Sequence, residues 1–203
     1  MVDGADDAAV RRDPSFALSF GGRVAGSLLL LYLAWRVLAR GLTYERWPGS
    51  VVLGIVDGAN FFFHEAGHLM FMFGGEFLTI LGGSLMQLLI PAICTAQFVR
   101  QRHIGAASAG LFWIGESLTG VALYAADAKA RRLPLHGDVD GSGSNHDWAH
   151  LLSRTGLLDR AEVVGGLLFA VAVALILASL AMLALECLAL WRAPRRAQAL
   201  PDH

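Results

Sequence analysis

His64, Glu65 and His68 stand in the order His-Glu-Ala-Gly-His, a spacing suited to metal-assisted hydrolysis. Residues four apart on a helix project from one face, so two imidazoles can reach the same ion. The glutamate beside the first histidine is placed to take a proton from a water activated by that ion. The surroundings sharpen the reading. Asn60-Phe61-Phe62-Phe63 precedes the motif and Leu69-Met70-Phe71-Met72-Phe73 follows it, a run fit for lipid rather than water. Ionisable side chains at membrane depth are costly and need a partner. A metal ion supplies one, and imidazole and carboxylate donors without thiolate favour Zn2+.

Catalytic zinc takes three protein ligands and keeps a fourth position open. The third ligand is sought among Asp127, His146, Asp147 and Glu116. Asp127 closes the fourth apolar segment near the expected level of the histidines; pairing with Lys129 or Arg131 is the plainer role for it. His146 and His150 are four apart in Asn145-His146-Asp147-Trp148-Ala149-His150. A short helix there would present both from one face, with Asn145 or Ser144 as its cap. Glu116 lies mid-way along the fourth segment, either as a ligand or as a protonated carboxyl bonded to a neighbouring helix. Asp57 is about 10 Å from His64 along a helix axis, too far for the same ion. Asn60 is close enough to orient His64. Asp138 and Asp140 fall in a Gly/Ser-rich connection.

The elements that must carry these residues are apolar. The chain has 203 residues, 55% hydrophobic and 16% charged, with a mean hydropathy of +0.53. That composition describes a multispanning membrane protein rather than a soluble domain. A net charge of −1 argues against a nucleic-acid partner. Spans of bilayer length are expected at 24–38, 51–73, 77–99, 106–126 and 163–190. The expectation is therefore an all-α polytopic protein with about five transmembrane helices, its termini on opposite sides of the bilayer. One helical domain covers 23–191, with a polar loop at 128–161, between a tail at 1–22 and a basic tail at 192–203. Gly82, Gly83 and Ser84 suit close packing against the histidine helix. Gln87 can bond across that contact, and Pro91 should bend its helix. Cys94 and Cys187 read as small buried side chains, with neither zinc-site nor disulfide spacing.

Three features together resemble the site-2-protease family of intramembrane zinc metalloproteases. They are His-Glu-x-x-His in a membrane helix, a following Gly-Gly-Ser-Leu-Met-Gln segment, and an aspartate in a later span. The resemblance covers roughly 57–134. It implies that His64 and His68 are zinc ligands, Glu65 the general base, and Asp127 the aspartate ligand. Ala128 follows Asp127 where the family has glycine, and Pro134-Leu135-His136-Gly137 keeps the family's frame with histidine in place of aspartate. The implied activity is hydrolysis of a peptide bond in a transmembrane substrate, by a multi-pass protein of a bacterial inner (cell) membrane. A zinc hydrolase of a lipid or small amide, and a non-enzymatic protein whose helices are stapled by metal, are the alternatives.

Overall fold

Apolar runs without turn signals become helices wherever water cannot serve the backbone, because only internal hydrogen bonds then satisfy it. The computed structural model describes residues 14–43, 50–133 and 146–197. Every regular element among them is helical. These are α1 (Pro14–Arg40), α2 (Val51–Met70), α3 (Glu76–Arg100), α4 (Ile104–Asp127), the short α5 (Asp147–Arg154) and α6 (Ala161–Ala197). Single 3-10 turns, Met72–Gly74 and Leu158–Arg160, lead into α3 and α6. The all-α polytopic expectation holds, with a helix at each of the five expected places.

Four of these helices, not five, are long and apolar enough to cross a membrane: α1, α3, α4 and α6. Asp57, Asn60, His64, Glu65 and His68 all fall within the twenty residues of α2 and dilute its hydropathy. The polar loop is also less plain than expected, since it contains α5, whose Ala149, Leu151 and Leu152 are buried.

The organising element is α4, buried along most of its length. Its inward residues are small or hydroxylated, and lipid offers no hydrophobic drive for association, so close packing and interhelical hydrogen bonds must hold neighbours to it. Against α6 the contact is a reciprocal clasp. Ser108 Oγ donates to the Ser179 carbonyl at 2.7 Å, and Ser179 Oγ donates to the Ser108 carbonyl at 2.9 Å. Around the other side, Leu30, Leu33, Ala34 and Val37 of α1 pack with Phe112, Ile176 and Leu183.

The contact between α2 and α3 is closer still. A Cβ on Gly67 would lie 2.2 Å from the Gly82 carbonyl oxygen, and one on Gly82 would lie 2.7 Å from the Gly67 carbonyl oxygen. Gly67→Ala must push the two backbones apart, and overpacking of this kind costs ~1–3 kcal/mol. Gly54 sits on the same helix with nothing within 4 Å of its would-be Cβ. In thermal unfolding of the detergent-purified protein, Gly67→Ala should melt clearly below wild type. Gly54→Ala should match or exceed wild type, because alanine is the better helix former.

Candidate metal centre

Helical periodicity brings His64 and His68 together, with ring centroids 4.8 Å apart. Space for both rings comes from α3: a Cβ on Gly83 would stand 2.7 Å from His64 Nε2 and 2.8 Å from His68 Cε1. Each ring is then held by its Nδ1. His64 Nδ1 is 2.9 Å from Gln87 Oε1, and His68 Nδ1 is 2.9 Å from the Thr79 carbonyl oxygen. Gln87 turns its amide nitrogen to Ser117 Oγ at 3.2 Å, which leaves its oxygen for His64. Both partners are therefore acceptors, and both histidines carry their proton on Nδ1. Each Nε2 is thereby turned toward Asp147, to which His64 Nε2 hydrogen-bonds at 2.9 Å; these are the two nitrogens a metal would take on displacing a proton.

Pro91 anchors this arrangement from below. Lacking an N–H, it deprives the Gln87 carbonyl of its intrahelical donor. Ser117 Oγ fills the place from α4 at 3.2 Å. The expected disturbance at Pro91 thus becomes a tie between α3 and α4 at the residue that orients His64.

The group facing the two Nε2 atoms is Asp147. Its Oδ2 lies 2.9 Å from His64 Nε2 and 3.3 Å from His68 Nε2. It is the first residue of α5, where a carboxylate is favoured by the helix dipole. Two hydrogen bonds seat that helix: the Asp147 N–H donates to Tyr124 Oη at 3.0 Å, and Trp148 Nε1 donates to Ser84 Oγ at 3.1 Å. A carboxylate oxygen facing two imidazole Nε2 atoms at these distances calls for positive charge between them, which either a shared proton or a metal ion supplies. Tetrahedral zinc with bonds of ~2.0–2.1 Å spaces its ligand atoms about 3.3 Å apart. The donor set and its spacing fit that ion. Glu65 is exposed beside the rings, its carboxylate within 4.8 Å of the imidazole nitrogens.

The other expected ligands sit elsewhere. Asp127 is fully buried at the end of α4, where its carboxylate accepts from the backbone N–H groups of Arg132 and Leu133, each at 2.9 Å. It closes the helix and turns the chain. His146 is the N-cap of α5: its Nδ1 accepts from the Ala149 N–H at 3.3 Å. A neutral imidazole has one lone pair, so Nε2 must carry the proton and has no lone pair for a metal. Nε2 lies buried 3.5 Å from Asp127 Oδ2 without a hydrogen bond, while the ring stacks on Tyr124 with centroids 4.3 Å apart. Burial lowers the His146 pKa, with Asp127 opposing in part, in keeping with a neutral cap.

Glu116 lies deep in α4, bonded to a neighbouring helix through Asn60 Nδ2 at 2.9 Å. Asn60 in turn accepts from Trp113 Nε1 at 2.8 Å. Asn60 therefore serves Glu116 rather than His64, and the orienting role expected of it falls to Gln87. Ser144, Asn145, Asp138, Asp140 and the stretch 134–137 lie outside the described residues. Tyr124, which seats Asp147 at the rings, carries no signal in the local sequence. One signal was available for Gln87: an amide in an apolar span must find partners.

Comparison with protein-family models, with curated proteins and with solved structures returns no match.

Proposed function

We propose that the chain is a membrane zinc metallopeptidase, similar in its chemistry to the site-2-protease family and working in a bacterial inner membrane. The observation that carries this reading is the convergence of two imidazole Nε2 atoms and one carboxylate, with the exposed Glu65 beside them. His64, His68 and Asp147 would hold the ion. Zinc there supplies Lewis acidity toward a carbonyl and lowers the pKa of a water to about 7. Glu65 takes a proton from the attacking water and delivers it to the leaving amine. Gln87 and Thr79 keep the imidazoles from turning, and Tyr124 and Trp148 keep Asp147 at the rings.

A structural metal is the competing reading, and one observation gives it a definite form. A structural zinc needs a fourth protein ligand, and the Glu65 carboxylate is near enough to be it. The first experiment is hydrolysis. Protein reconstituted in lipid with zinc should cleave a membrane-anchored peptide library, lose that activity to a chelator, and regain it when zinc is restored. Folded, zinc-loaded protein that leaves peptides intact but hydrolyses lipid esters or small amides would replace peptidase with one of those activities.

A further inference from the structure

We infer that α2 is re-entrant: the chain crosses the membrane four times, both termini share one face, and the histidine site opens to water on the other. Following the peptidase reading above, the bond it cleaves belongs to a polypeptide segment at that aqueous face, not to the middle of a spanning helix.

The argument rests on helix directions. Along α6, Gly165 meets Ala122 and Ala126, Ile176 meets Gly115, and Glu186 meets Gly105, so α6 is antiparallel to α4. Gln87 meets Ser117 and Thr95 meets Gly110, so α3 is antiparallel to α4. His64 meets Gln87 while His68 meets Thr79, so α2 is antiparallel to α3. At the other end of the chain, Phe20 stacks near Trp191 and Arg23 bonds Glu186 at 3.1 Å. Leu30 to Val37 then run on toward Ile176, so α1 is antiparallel to α6. It follows that α1 and α2, consecutive in the chain, point the same way.

Two consecutive parallel helices cannot both be spans joined by a hairpin. The four helices that pass on length and apolarity, α1, α3, α4 and α6, do alternate in direction, which is what membrane crossings require. They place residue 20 and residue 192 at the same end of the bundle. Leu53, near the start of α2, packs on the same cluster as Leu38, near the end of α1. Ten residues separate the end of α1 from the start of α2, and at ~3.3 Å each that length suffices for the chain to return beside the bundle.

The exposed side of α2 mixes Asp57 and Glu65 with Phe61 and Phe62, and its two carboxylates need water within reach. Asp57 lies about 20 Å along the axis from the end of α2, a depth at which a lipid-facing carboxylate is costly. Its carboxylate is a hydrogen-bonding neighbour of Glu116. Water reaching the exposed Glu65 from the face carrying α5 would supply what hydrolysis consumes.

The test is one of sidedness and needs no activity. In a background with Cys94→Ser and Cys187→Ser, single cysteines are introduced as Ala8→Cys, Ala199→Cys, Asp57→Cys and Val171→Cys. Each is challenged with a membrane-impermeant maleimide in right-side-out and inside-out vesicles. The two tail positions should react from the same face and Asp57→Cys from the opposite one. Val171→Cys, exposed mid-way along α6, should react from neither. Tails on opposite faces, or a position 57 as silent as position 171, would overturn the inference. Absence of hydrolysis with the labelling pattern intact would overturn the peptidase reading alone.

Discussion

Asp147→Ala should strip the purified protein of zinc, whereas Asp127→Ala should keep it. The wild type is expected to hold about one zinc per chain, as a three-ligand catalytic site does. Losing a direct ligand weakens binding beyond the ~10–100-fold typical of outer partners. Asp147 touches both imidazoles, so its loss belongs to the first kind. Gln87→Leu belongs to the second, because it frees the His64 ring to turn but leaves all three ligands. Asp127 bonds backbone N–H groups and faces the His146 cap. Its removal loses two part-buried hydrogen bonds, a cost of ~0.5–1.5 kcal/mol each. Asp127→Ala should therefore lower the melting temperature while zinc content stays at the wild-type level. Elemental analysis with chelator competition gives the order: Asp147→Ala weakest, then Gln87→Leu, with Asp127→Ala near wild type. The reverse ranking of the two aspartates would return the third ligand to α4, where the family resemblance puts it.

How far each of these residues was legible in the sequence depends on how local its reason is. His64, Glu65 and His68 are a statement about helical period, and a period is read from five residues. Asp147 meets His64 from 83 residues away, through a helix of eight residues in a polar loop, and no local pattern encodes that meeting. Asp127 drew attention because charge at a span end is conspicuous. The structure uses that charge to close α4, a task any buried helix end must solve. His146 misled in a different way. An i, i+4 histidine pair invites a metal, yet the first of the two accepts from Ala149 as a cap and so gives up its only lone pair.

Topology shows the same division. Hydropathy locates apolar segments with some accuracy, and helices were found at all five expected places. It says nothing of direction: five counted segments put the termini on opposite sides, whereas the four crossings inferred above put them on one. Direction is written in pairwise fits such as Arg23 with Glu186 and Ser108 with Ser179, which become visible only once helices touch. The reduced hydropathy of α2 was in plain view, but its polar residues were read only as site chemistry. They also weaken its claim to be a span.

Glu65→Gln is the change that separates an enzyme from a metal-stapled bundle, and its two readouts must be taken together. The amide keeps the size of the carboxylate and removes its basicity. If Glu65 is a general base, zinc content should be unchanged and peptide hydrolysis should fall by ~10²–10⁴, the usual worth of a positioned proton acceptor. If Glu65 is instead the fourth ligand of a closed structural site, the same substitution should weaken zinc binding and lower the melting temperature together. The exposure of Glu65 favours the first outcome. Buried structural ligands are enclosed on all sides, whereas this carboxylate stands on the open side of α2, where a water and a substrate carbonyl can reach it. Retained zinc with undiminished hydrolysis would remove Glu65 from the chemistry and require another base. Among the described residues near the rings, the remaining carboxylate is Asp147, already engaged by both imidazoles, so that result would also demand a different ligand set.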